Sequence, residues 1–125
     1  MIACLGIGID IERTDRFINK NLKNTTFQQK IFTKKELDYC YSKKAYAQHL
    51  AARFAGKEAI IKALGEIQEK ILPHRQIEIL NDQQGVPHVS IEGYTVKITL
   101  SHNRNHAVAF ALLEKTNRAM KKRDK

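Results

Sequence analysis

Over residues 2–11 the chain is apolar and glycine-rich, and Ile7, Ile9 and Ile11 alternate around Gly8 and Asp10. A period of two predicts a strand on which Asp10 points away from those isoleucines. Thr14 is placed to cap a short helix reaching Asn19 or Lys20, and another helical piece is expected over 25–32. Thr33-Lys34-Lys35-Glu36 has the capping-box pattern, in which a hydroxyl and a carboxylate each satisfy a free amide of the first turn. A helix is therefore expected over 34–41. A longer one is predicted over 44–64, with Gly65 as its left-handed terminator. After Pro73 the pattern becomes β, with strands at 77–80 and 86–91 flanking the turn residues 81–85. Two more strands are expected at 96–101 and 106–113, separated by the polar turn 102–105. This order reads as an α+β fold with one long helix packed on an antiparallel sheet.

A chain of 125 residues, 42% of them hydrophobic, fills one domain over 1–125, with 115–125 as a basic, frayed tail. A domain this small leaves a shallow surface, so its cleft is expected to be completed by a second copy. The net charge of +9, from 22 basic and 13 acidic residues, calls for an anionic partner. Cys4 and Cys40 fit no metal spacing and a core of this size needs no disulfide, which points to a reducing cytoplasm. The chain has no signal-peptide pattern and no apolar run near ~18 residues, so no membrane association is expected.

Projected at about 100° per residue, Ala47, Leu50, Ala51, Phe54 and Ile61 share one arc of the long helix, and Glu58 falls inside it. One reading is an ordinary ion pair with Lys62, four residues on, worth a few tenths of a kcal/mol. The other is a metal, a cation or a polar cleft, because burying an unpaired carboxylate costs several kcal/mol. Arg53 and Lys57 lie at one margin of the arc and Lys62 at the other. Three cations beside one acid suit a polyphosphate whose charge is shared with Mg²⁺. Asp10 could serve as strand-end hydrogen bonding or as a second metal ligand, since Mg²⁺ commonly takes one or two carboxylates plus phosphate oxygens. Ser101 and His102, at the end of an apolar strand, are either solvated turn residues or donors to a phosphate.

Four segments in order resemble the acyl-carrier-protein synthase family. They are 6–12 (GIGIDIE) with Arg16, 32–37 (FTKKEL), 53–64 (RFAGKEAIIKAL), and Ser101-His102 followed by Ala107 and Ala109. The resemblance implies a 4′-phosphopantetheinyl transferase-like fold and transfer of 4′-phosphopantetheine from coenzyme A to a serine of an acidic acyl carrier protein in fatty acid biosynthesis. It implies that Asp10 and Glu58 ligate Mg²⁺ with the coenzyme A pyrophosphate, and that Arg53, Lys62 and His102 contact phosphate, joined by Lys57. Glu58 itself and a metal-bound water are both candidates to take the serine proton. Small members of the family are trimers with sites between subunits, and this length fits them. Arg13, Arg16, Lys20 and Lys23 could form the basic docking patch for the carrier.

Two positions depart from the family pattern. Gly56 replaces the usual alanine, at about 1 kcal/mol in a helix interior, and Gly65-Glu66-Ile67 stands where glycine-threonine-glycine is common. The rival reading of a basic nucleic-acid module lacks zinc spacing, a stacking platform and a recognition helix. A purely structural oligomer would not explain an acid on the apolar arc.

Overall fold

The computed structural model describes residues 5–18, 26–67 and 71–116. Strand β1 (Leu5–Arg13) leads into a 3-10 turn (Thr14–Phe17), then helices α1 (Thr26–Ile31), α2 (Lys34–Tyr41) and α3 (Tyr46–Glu66). A second 3-10 turn (His74–Gln76) precedes β2 (Leu80–Asn81), β3 (Pro87–His88), β4 (Tyr94–His102) and β5 (His106–Lys115). The main sheet is antiparallel in the order β1-β5-β4, and β2-β3 form a separate two-stranded ladder. The expected α+β architecture is what forms, with α3 lying across β1 and β5. No described helix is long and apolar enough to cross a membrane.

Small residues on both sides let the helix lie close to the sheet. A Cβ on Gly8 would overlap the carbonyl oxygen of Ala59, and one on Gly6 that of Ala63. Ala107, Ala109 and Ala111 of β5 are fully buried beside them. The same alternation turns the other β1 side chains outward. Ile7, Ile9 and Ile11 are 48%, 59% and 62% exposed, and Phe110 of β5 lies on the same outer face.

The capping box at Thr33 and Glu36 forms, and α2 has the expected limits. Glu36 does more than cap, however. Its carboxylate also accepts from the buried amide of Ile79 (2.8 Å) and from the ammonium of Lys57 (2.8 Å), with both charged side chains fully enclosed. Losing one partner of such a pair leaves the other charge stranded, typically at about 3–5 kcal/mol.

Several boundaries differ from the sequence reading. Helix α3 runs past Gly65 to Glu66, and Ile67 is the cap, so the glycine sits in the last turn. Thr14 is not a helix cap; it is buried, its amide donates to Asn105 O (3.0 Å), and its hydroxyl donates to Arg104 O. Ile77 and Ile79 are buried but lie outside any strand, because their backbone groups are claimed by Lys57 and Glu36. Cys40 is a buried free thiol whose pKa burial pushes up to about 12, an inert packing group. Cys4, Lys20, Lys23 and most of the 115–125 tail lie outside the described residues.

Candidate active site

On α3, Ala55, Ala59 and Ala63 form one row a turn apart, with Gly6 and Gly8 of β1 against the last two. The neighbouring row, Glu58, Lys62 and Glu66, follows the outer edge of the same strand. A strand at the edge of a sheet has unpaired backbone groups, and this row takes two of them. Glu66 accepts from Ile7 N–H (2.6 Å), and Lys62 donates to Ile9 O (2.9 Å). Two strand residues span about the same length as one helical turn. Glu58, the next in the row, therefore stands at the Asp10 end of the strand.

Asp10 faces the helix, as the alternation predicts, and its Oδ1 accepts from Lys62 Nζ (3.0 Å). Lys62 thus pairs across to β1 and not with Glu58 on its own helix, which corrects the simple i,i+4 reading. The other oxygen of Asp10, Oδ2, is buried with no hydrogen-bond partner. Glu12, two residues on and also turned inward, is its neighbour; burial first and Asp10 second push the Glu12 pKa up to about 7, against the pull of Arg16 (2.7 Å). Two carboxylates held this way attract a cation. Glu58 has a half-buried side chain, and its Oε2 lies 2.6 Å from His74 Nε2.

The reading that Glu58 is the charge inside the apolar arc is corrected. That place belongs to Lys57, which is fully enclosed and donates to Glu36 Oε1 (2.8 Å), His74 O (2.9 Å) and Ile77 O (2.7 Å). An ammonium has three donors, and all three of these are used. The expected phosphate contact of Lys57 is therefore withdrawn, and burial lowers its pKa against the opposing charge of Glu36.

His102 and Arg53 meet at another corner. His102 lies on the inner face of β4, in one cross-strand row with Ala107 and Glu12, and its Nδ1 is 2.8 Å from Gln48 Oε1. The ring of His49 lies edge-on to it at 4.9 Å between centroids. Arg53 is 2% exposed, stacked on the Tyr39 ring at 4.4 Å and bonded to Asn81. Arg53 thus brings its charge to this corner from a buried position, and its Nε is left with no hydrogen-bond partner. Burial first, then His102, Arg53 and Lys43, holds His49 down to about 4, and burial followed by Arg53 lowers His102. Neutral imidazoles crowded by cations favour an incoming anion. His49 was missed in the sequence; its place one turn before Arg53 was the available signal.

Ser101 is a further correction. Successive strand residues point to opposite faces, so Ser101 lies on the outer face with Ile11 and Val108, away from His102. Of the docking candidates, Arg13 pairs with the exposed Asp15, and Arg16 pairs with Glu12 while lying 5.1 Å from the Phe54 ring centre.

Comparison with known proteins gives a consistent picture. The family model described as 4′-phosphopantetheinyl transferase superfamily matches residues 6–111. A holo-[acyl-carrier-protein] synthase of Geotalea daltonii is 41% identical over 92% of this chain and 100% of its own. One from Clostridium novyi is 40% identical over 90% of this chain and 89% of its own. Among solved structures, a holo-(acyl-carrier-protein) synthase from Bacillus anthracis in complex with CoA (3′,5′-ADP) superposes with a TM-score of 0.75 at 33% identity, covering 91% of this chain and all of that one.

Proposed function

This chain belongs to the 4′-phosphopantetheinyl transferase superfamily, and from that premise we propose that it converts apo acyl carrier protein to the holo form in fatty acid biosynthesis. The 4′-phosphopantetheine of coenzyme A passes to a carrier serine: the hydroxyl attacks the β-phosphorus and 3′,5′-ADP leaves. The observation that carries this reading is the charged edge of α3, where Lys62 bonds Asp10 at one end of β1 and Glu58 is the next residue in the same row. The direct test is to mix the protein with coenzyme A, a divalent metal and apo carrier, and to weigh the carrier. A carrier of unchanged mass would overturn the assignment.

Mg²⁺ fits these residues, because Oδ2 of Asp10 is buried with no hydrogen-bond partner and Glu12 is crowded against the same carboxylate, its pKa raised in spite of Arg16. Asp10 and Glu58 would hold it, and it would supply positive charge to the pyrophosphate as the bond breaks. Lys62 brings a fixed ammonium to the same end of the strand, and an ammonium strengthens its hold on a phosphoryl oxygen as charge develops there. His102 and His49, backed by the charge of Arg53, receive a second phosphate group.

The acidic carrier docks by its charge on the basic side next to β1, where Arg13, Arg104 and His106 rim a cleft of about 480 Å³. Arg13 is the cleaner probe, since Arg16 also restrains Glu12. Arg13→Glu should raise KM for carrier several-fold and leave KM for coenzyme A unchanged. It should also flatten the rise of the carrier KM with salt, because such steering is screened over about 8–10 Å. A change confined to the coenzyme A constant would remove the docking surface.

The outward isoleucines with Phe110 make a sheet face that water disfavours, and a homotrimer built through that face would cover it and set sites between subunits. Ser101 would then stand at a subunit boundary. Light scattering should give the trimer mass at micromolar concentration; a fully active monomer would remove the claim. The cytoplasm, where free thiols persist, is the compartment that the unpaired Cys40 suits.

A further inference from the structure

Lys57 and Glu58 are adjacent in sequence and both end on the same residue, His74, one on its backbone and the other on its ring. Lys57 donates to the His74 carbonyl (2.9 Å) and, three residues on, to the Ile77 carbonyl (2.7 Å), so the 3-10 turn is pinned at both ends by one buried ammonium. That ammonium is itself fixed by Glu36 (2.8 Å), which is held by its own helix cap. The His74 ring lies flat on Phe54, with centroids 5.5 Å apart and planes 6° from parallel. Backbone and ring are thereby both set, and Nε2 is aimed at Glu58 Oε2 (2.6 Å). A carboxylate oxygen only accepts, so the ring nitrogen facing it carries the hydrogen.

From this geometry we infer that His74 is a positioning residue for Glu58: it ties one carboxylate oxygen, fixes the rotamer and leaves the other oxygen free for the ion that Glu58 would hold. Among the described residues His74 is the only hydrogen-bond partner of Glu58, since Lys62 is committed to Asp10 and Ile9. Without it, a half-buried glutamate with no other tie would have to be ordered by the ion itself, and that ordering costs side-chain entropy at each binding event. Residues that orient a metal ligand typically change metal affinity or activity by about 10–100-fold when removed. The inference rests on the reading of Glu58 as a metal ligand.

The experiment measures Mn²⁺ binding to the whole protein with coenzyme A present and carrier absent, by the electron paramagnetic resonance signal of free Mn²⁺. His74→Phe keeps the ring on Phe54 and loses the donor, whereas His74→Gln puts an amide N–H near the place of Nε2. The phenylalanine variant should bind Mn²⁺ about 10-fold or more weakly, and the glutamine variant should recover most of that loss. In turnover at limiting metal, kcat should fall in His74→Phe while KM for carrier stays unchanged. Should the phenylalanine variant fail to fold, His74→Met is read in its place. Wild-type Mn²⁺ affinity in the variant without a donor, alongside loss of binding in Glu58→Gln, overturns the role of His74 and leaves the ligand assignment intact. Wild-type affinity in Glu58→Gln overturns both.

Discussion

Glu58→Gln should lower kcat/KM for carrier modification by at least about 10³-fold, a loss of ~4 kcal/mol of transition-state stabilisation, while the melting temperature stays close to wild type. Glutamine keeps the volume and can still accept from His74 through its amide oxygen, so the packing on Phe54 and the 3-10 turn survive. What disappears is one negative charge at the end of the charged edge. Metal ions of the hard class bind carboxylate far better than amide oxygen, so added Mg²⁺ should not restore the rate. Steady-state kinetics at rising Mg²⁺, with a parallel thermal melt, checks both halves; near-normal turnover at saturating metal would end the assignment. Asp10→Asn should behave alike, with the added effect of weakening the tie to Lys62.

Gly8→Ala should be the most destabilising change at a residue that makes no side-chain contact. The new methyl would overlap Ala59 O and press on the α3 backbone, and neither can yield by a rotamer change. Strand and helix would have to part, at a cost of about 3 kcal/mol or more. For a domain of this size that is a fall in melting temperature on the order of 10 °C. Residual folded protein should also lose activity, because the displaced strand carries Asp10. Gly56→Ala is the matched control. Its methyl would meet Ile79 Cδ1 at 2.7 Å and Ile98 Cδ1 at 3.0 Å, both ends of movable side chains. The helix gain of about 1 kcal/mol offsets that crowding, so Gly56→Ala should melt within a few degrees of wild type. Equal losses in the two variants would mean that the β1–α3 approach is looser than described.

Local chemistry explains which elements were legible in the sequence. The capping box needs only four consecutive residues, and helix α2 begins where those residues predict. The last two strands and their polar turn were legible because alternation and a short turn are properties of neighbours in sequence. Asp10 could be set on the face opposite the isoleucines for the same reason. Gly65, by contrast, was a poor guide to the end of α3, because Glu66 finds a partner in Ile7 N–H, a group on a strand 59 residues away. The strand expected over 77–80 failed similarly: buried side chains from two helices claim its backbone groups before a neighbouring strand can.

The sequence by itself determined that one long helix lies on an antiparallel sheet, and it singled out Asp10 and Glu58 as the candidate acids, with Lys62 among the cations near them. Periodicity and local hydrogen bonding carry that much. Only the tertiary structure decided which of the adjacent Lys57 and Glu58 is enclosed and which lies at the edge. Projection on a wheel assumes one buried stripe, whereas α3 is covered on most sides, so residues off the stripe are buried as well. A lysine is tolerated in that interior because Glu36 and two carbonyls converge on it from α2 and the His74 turn. The pairing of Lys62 with Asp10, the opposite facing of Ser101 and His102, and the contact of His74 with Glu58 follow in the same way. Each depends on where distant segments meet in space, and spacing along the chain carries no record of that.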